Sequence, residues 1–227
     1  MNAPLQQAAA GTGPGLRMIL TLGLIAMLSG LTVVLVFDWT RPMIAENQRK
    51  ATEQAVFRVL PGAVRRADLR LGEHGFTTAD DVAAGELVYV GYDADGRLVG
   101  FALASAAQGY QDLVQLLYGY DPACQCVRGI RILKMTETPG LGDRVAFDPA
   151  FLANFEALDA SLDLEGEDLA NPIRAVKHGH KRDRWEVDAI SGATISSVAV
   201  ANAINRSMRR MAPLIQRHRA ALEEVPR

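Results

Sequence analysis

Cysteine is almost absent from this 227-residue chain, which carries only Cys124 and Cys126. Two cysteines exclude a disulfide framework and fall short of the four ligands of a structural zinc site. The fold must therefore rest on an ordinary apolar core. A charge bias is missing as well: 24 basic and 26 acidic residues leave a formal net charge of -2, which removes nucleic acid as a leading partner. No glycine-rich dinucleotide fingerprint and no iron–sulfur cysteine run is present. Such a chain is not expected to oxidise NADH alone. The four histidines, His178 and His180 among them, show no metal-ligand spacing, so no metal site and no catalytic group are read.

What the sequence does have is one long apolar run. Met18 to Phe37 is uncharged and rich in Leu, Ile, Val and Met, and at about 1.5 Å per residue it spans a hydrocarbon core of about 30 Å. A cleaved signal peptide would have a shorter run and a small-residue cleavage site. Here Asp38, Trp39, Thr40, Arg41 and Pro42 follow instead, so residues 18–37 read as a retained membrane anchor with Trp39 at the interface. Arg17 on one side and Arg41, Arg49 and Lys50 on the other leave its orientation open. Residues 1–17, dominated at their start by Ala, Gly, Gln and Pro, read as a disordered tail.

Beyond the anchor, residues 42–60 hold apolar positions near helical period and end at Pro61-Gly62, which predicts a membrane-proximal helix. Residues 63 to 86 are charged and read as an irregular excursion. Leu87 to Tyr92 and Leu98 to Ala104 flank Asp93-Ala94-Asp95-Gly96 as a hairpin, and Val114 to Tyr120 with Val127 to Met135 form a second strand pair. A helix is expected over Phe151 to Leu158, then short strands at Ile173 to His178 and Arg184 to Val187. The last element is a helix from Thr194 toward Ala212, with Val200, Ala201, Ile204, Met208 and Met211 on its apolar face. The order predicts an α+β domain over residues 61–227.

The informative stretch is Asp188-Ala189-Ile190-Ser191-Gly192-Ala193-Thr194, followed by Ile195-Ser196-Ser197. A strand ends, a glycine permits a tight turn, and a helix begins among hydroxyls. Unpaired N–H groups and the positive dipole end make such a start an anion site, with Ser191, Ser196 and Ser197 as added donors. The competing reading makes Ser191 or Thr194 a plain N-cap. A second stretch, Thr136-Glu137-Thr138-Pro139-Gly140-Leu141-Gly142-Asp143, pairs a rigid proline with glycines that let backbone approach a flat ligand. Glu137 and Thr138 offer polar contacts, Leu141 an apolar cover.

Asp188-x-x-Ser191-Gly192-Ala193-Thr194 resembles the flavinylation motif of the FMN-binding domain family, and residues 136–143 resemble the segment that packs on the flavin ring in that family. The resemblance is strongest to the G subunits of Rnf electron transport complexes, with C subunits of sodium-pumping NADH:quinone oxidoreductases as relatives. It implies FMN joined through its phosphate to Thr194 by a flavin transferase. The implied flavin-contact set is Asp188, Ser191, Gly192, Ala193, Ser196, Ser197, Glu137, Thr138, Gly140 and Leu141, with Lys177 beside the ring. Gly109-Tyr110 with Val114 to Asp121 resembles the family's approach to the central strands, although Gln111-Asp112-Leu113 stands where glycine is more usual.

The implied role is electron relay inside a membrane-bound, ion-translocating complex that exchanges electrons between ferredoxin and NAD, with the other Rnf subunits as partners. The implied location is the inner membrane, flavin domain on the periplasmic side. A flavin-containing regulatory or sensory membrane protein is the alternative, and it would ordinarily bring more membrane helices and ferredoxin-like cysteines. For Cys124-Gln125-Cys126 a disulfide, a metal site shared with a neighbour and a plain turn all remain open, the plain turn preferred. Arg206, Arg209, Arg210, Arg217 and Arg219 read as a solvated or partner-facing helix surface.

Overall fold

A computed structural model describes residues 14–81 and 85–223. The start of the expected tail, residues 1–13, lies outside the described residues. The chain divides into two units, Met1–Lys50 and Ala51–Arg227.

Helix α1 runs from Pro14 to Val59. Its apolar stretch is long enough to cross a membrane and none of it is buried within the protein. The sequence treats residues 18–37 and 42–60 as separate elements, and the tail as reaching Arg17, yet all of these from Pro14 to Val59 lie on one helix. Pro42 sits inside it. Proline removes the bond that its N–H would have given to the carbonyl four residues back and its ring crowds that carbonyl, yet the helix continues through it.

The second unit is built on a seven-stranded antiparallel sheet ordered β2-β1-β3-β4-β5-β6-β7. Its strands are β1 (Arg65–Gly72), β2 (Gly75–Thr78), β3 (Glu86–Tyr92), β4 (Leu98–Gln108), β5 (Leu113–Asp121), β6 (Cys126–Lys134) and β7 (Leu158–Asp159). The stretch read as an irregular excursion is thus largely the β1–β2 hairpin, paired with β3 from Arg65↔Tyr92 to Leu71↔Glu86. Its period-two pattern, Arg66-Ala67-Asp68-Leu69-Arg70-Leu71, was masked by charge. Arg66 is held by Glu53 at 3.4 Å and Asp68 at 3.1 Å, while Arg70 donates to the carbonyls of Ala79 and Gly85.

Alternation along the strands splits the core between the two faces of the sheet. Phe101, Leu103, Leu116 and Tyr118 join the larger cluster under α3 (Thr194–His218). Ala102 and Leu117 face the other way and meet Ala55, Val56, Val59 and Leu60 at the end of α1. Helix α3 is fastened by Tyr118 Oη donating to Ser207 Oγ at 2.7 Å and Ser105 Oγ donating to the Ala203 carbonyl at 2.8 Å. It continues past the expected end near Ala212, through Pro213. Three of its arginines are paired: Arg209 with Asp168, Arg210 with Glu86, and Arg217 with Glu73 at 3.9 Å.

The remaining elements are short. The helix expected over Phe151 to Leu158 is the short α2 (Pro149–Leu152), capped by Asp148, with a 3-10 turn at Ala153–Phe155. β8 (Arg174–Val176) and β9 (Glu186–Asp188) pair in parallel, apart from the antiparallel sheet. A short final helix, α4, covers Ala220–Glu223. In the β5–β6 turn the cysteines form a Cys124–Cys126 disulfide, which corrects the plain-turn preference. Gln125 between them adopts φ 51°, and its side-chain oxygen accepts from the Leu162 N–H at 2.9 Å.

The closest packing is backbone against backbone. A Cβ on Gly119 would overlap the Val59 carbonyl at the end of α1, whereas one on the paired Gly129 would sit 3.5 Å from Val59 Cα, an ordinary contact. Gly119→Ala is therefore expected to lower unfolding stability by about 3 kcal/mol, and Gly129→Ala to stay within about 0.5 kcal/mol of the native chain. Denaturant unfolding of residues 51–227 measures both.

Candidate cofactor site

Three segments meet at the start of α3. The first is the turn from β9 into the helix. Ala189 N–H donates back to Val176 of β8 at 3.0 Å, Ala193 N–H to Ile190 at 3.0 Å, and Gly192 turns the chain with φ 83°. Ile190 and Ala193 are buried, so the turn is pinned from beneath while Ser191, Gly192 and Thr194 stay exposed. The N-cap is Ala193, and no side chain caps the helix. That removes the plain N-cap reading of Ser191 or Thr194 and leaves first-turn N–H groups without an intrahelical partner.

The hydroxyls around this turn divide into two groups. Ser197 is fully buried; its Oγ donates to the Ala193 carbonyl at 2.9 Å and accepts the Ile190 N–H at 3.1 Å. Ser196, also buried, donates to Glu137. Both serines build the turn from inside. Thr194 and Ser191 are the hydroxyls presented to solvent.

The second segment is the loop 136–143. Gly140, at φ 77°, has open space where a Cβ would be, and Leu141 is 52% exposed. Leu141 Cδ2 lies 3.9 Å from an ideal Cβ on Gly192, which sets this leucine against the motif turn. Thr138 accepts from the Leu141 N–H through its carbonyl at 3.2 Å, and from Gln111 Nε2 through its hydroxyl at 3.2 Å. Glu137 faces inward at 6% exposure. The third segment, residues 109–112, is tied to it: Tyr110 and Gln111 N–H groups donate to Glu137 Oε1 at 3.0 and 3.2 Å.

Asp188 supports the motif from the other side. Its carboxylate accepts the Gly179 N–H at 2.7 Å and lies 3.4 Å from His178 Nδ1, which holds the 177–180 turn. Lys177 is exposed at the head of that turn. Sequence reasoning missed Asn154, a buried residue whose Oδ1 accepts the Asp188 N–H and Lys181 Nζ, each at 3.0 Å. Nothing in the local pattern distinguishes it from a turn asparagine.

The arrangement fits FMN. An exposed hydroxyl stands at an uncapped helix start suited to phosphate. Tyr110, Leu141 and Ile195 are 67%, 52% and 55% exposed and supply apolar surface for a flat ring. Asp143 Oδ1 is buried and finds no donor among the described residues, leaving an acceptor for a ligand hydroxyl or N–H.

Residues 109–209 match the model of the FMN-binding domain family, a span that contains all three segments. The G subunit of the ion-translocating oxidoreductase complex of Pseudomonas aeruginosa is 31% identical over 86% of this chain and 87% of its own length. The chain belongs to the family of these G subunits. Its counterpart in Escherichia coli is 33% identical over 83% of this chain and 86% of its own, and that in Methanosarcina acetivorans 29% identical over 85% and 92%. In fold, this family member is similar to the C subunit of the Na(+)-translocating NADH-quinone reductase from Parabacteroides distasonis, with a TM-score of 0.51 at 20% identity, covering 73% of this chain and 80% of that one.

The strand leading into the site carries an acid-sensitive clasp. Buried Glu186 accepts the backbone N–H groups of Arg182 and Asp183 and the Arg174 guanidinium. These hold its carboxyl at about 2, down from an ordinary 4.5, the Arg182 N–H contributing most. A depressed carboxyl stabilises the fold above its unfolded value and loses that contribution as pH falls toward the folded one. The stability gap between the native chain and Glu186→Gln should be full at neutral pH and close between pH 4.5 and about 2, as read by urea unfolding across that range.

Proposed function

We propose that this chain is the flavoprotein subunit of a membrane-bound, ion-translocating electron transport complex, and that it carries FMN as a phosphoester on Thr194. The observation that carries the reading is the exposed Thr194 hydroxyl at the uncapped start of α3, inside the span matching the FMN-binding domain. The first-turn N–H groups and the helix dipole hold the phosphate. Ser191 and the Gly192 turn border it, and Thr138, Gly140 and Leu141 line the ring, with Lys177 and Asp188 on the adjoining turn.

In forming the linkage, the threonine oxygen bonds to the phosphorus of an activated flavin phosphate donor as the bond from that phosphorus to the donor's leaving group breaks, the hydroxyl proton goes to the departing group, and the chain gains FMN minus one water. A flavin transferase performs this step. FMN supplies one- and two-electron redox chemistry, and the protein sets its position and surroundings. The complex exchanges electrons between ferredoxin and NAD, partnered by the other Rnf subunits. The anchor lies in the inner membrane and the flavin domain on its periplasmic side.

Two measurements test this reading. Thr194→Ala removes the proposed attachment oxygen while keeping a good helix former. Mass spectrometry of the peptide spanning 188 to 205 should show FMN minus water on the native chain made with the transferase and none on the variant. Persistence on the variant would move the linkage to a serine. For sidedness, a reporter fused after Arg227 should be active only outside the cytoplasm, and cytoplasmic activity would reverse the orientation.

A further inference from the structure

The buried carboxylate of Glu137 joins segments far apart in sequence. Its Oε1 accepts two successive N–H groups, of Tyr110 and Gln111, and its Oε2 accepts the Ser196 hydroxyl in the first turn of α3. Space for it is made by two glycines. A Cβ on Gly109 would lie 2.5 Å from Oε1, and one on Gly142 2.7 Å from both Oε2 and Ser196 Oγ. A buried carboxylate left without donors is costly, so these three bonds and two glycines together fix one arrangement. What that arrangement exposes is Tyr110 on one side, Leu141 beside Gly142 on another, and Thr194 two residues before Ser196.

We infer that Glu137 is a positioning residue: it clamps the 109–112 loop and the first turn of α3 together so that Tyr110, Leu141 and Thr194 are presented as one preformed flavin-acceptor surface, and it acts from beneath that surface through the groups it holds. This rests on the reading of Thr194 as the acceptor. The carboxylate's own charge is spent on three protein donors, which lets an acidic side chain lie under an anion site.

The test uses the full chain with its flavin transferase, reading the initial rate of covalent FMN incorporation by mass spectrometry, the visible circular dichroism of the attached flavin, and thermal unfolding. Folded Glu137→Ala should incorporate flavin about tenfold more slowly, as expected for loss of hydrogen bonds to a charged group, and the attached flavin should show weakened dichroism. Glu137→Gln should stay within about threefold of the native rate, because its amide oxygen keeps both N–H bonds and its NH2 donates to Ser196 Oγ. Gly142→Ala should match Glu137→Ala, and the double variant should lose nothing further.

A folded Glu137→Ala with the native rate and native dichroism overturns the inference, even if its melting temperature falls. If Glu137→Ala does not fold, Ser196→Ala decides, since it cuts only the helix arm of the clamp: slower incorporation supports the inference and an unchanged rate overturns it. A native chain that takes up no flavin overturns the Thr194 reading and this inference with it, an outcome distinct from native uptake that ignores Glu137.

Discussion

The fold depends on the approach of the last turn of α1 to the middle of the sheet. At Gly119 the distance is set by backbone, because the Val59 carbonyl occupies the place a side chain would take. Gly91 and Gly100 make similar room for Leu60. Close contact of this kind maximises dispersion per residue and tolerates little adjustment, since packed interiors transmit strain. It lets six buried residues, Ala55, Val56, Val59, Leu60, Ala102 and Leu117, serve as a complete second core. With one face closed this way, the other is free to receive α3, and the strands need both covers because their side chains alternate between two apolar faces.

The start of α3 inherits its precision from that packing. Ser207 and Ala203 fix the middle of the helix to Tyr118 and Ser105, so its first turn is held at a set height above β4 and β5. Everything that distinguishes the candidate cofactor site then comes from loops, the usual place for function on a rigid scaffold. Cys124–Cys126 lies at the far end of β5 from residues 109–112, and nine extended residues span roughly 30 Å. The disulfide belongs to the β5–β6 turn, where Gln125 contacts Leu162, not to the candidate cofactor site.

Much of this was legible in the residues. The anchor, the β3–β4 and β5–β6 hairpins, the terminal helix and the two loop motifs all announce themselves through period, turn chemistry or glycine and proline placement. The β1 strand was lost because Arg66, Asp68 and Arg70 make a polar face look like an irregular excursion, when the partners of the two arginines are Glu53, Asp68 and the carbonyls of Ala79 and Gly85. Side-chain roles within the site were harder. Ser191, Ser196 and Ser197 are equivalent in a one-dimensional reading, and only burial separates the exposed one from the two that brace the turn. Asn154 gave no signal at all, since its bonds to Asp188 and Lys181 span 34 and 27 positions.

Two acidic residues beside the proposed phosphate site pose an electrostatic problem, because a carboxylate within a few ångströms of an anion raises its energy in a low-dielectric setting. Both are answered locally. Asp188 turns its oxygens to the Gly179 N–H and His178, and Glu137 is enclosed by Tyr110, Gln111 and Ser196 donors. Neither charge is left to act alone on the helix start, while the N–H groups of the first turn have no side-chain cap competing for them. A serine or aspartate at the position of Ala193 would offer such a cap and fill the proposed anion site from within. The alanine is therefore as much a part of the site as the threonine that follows it.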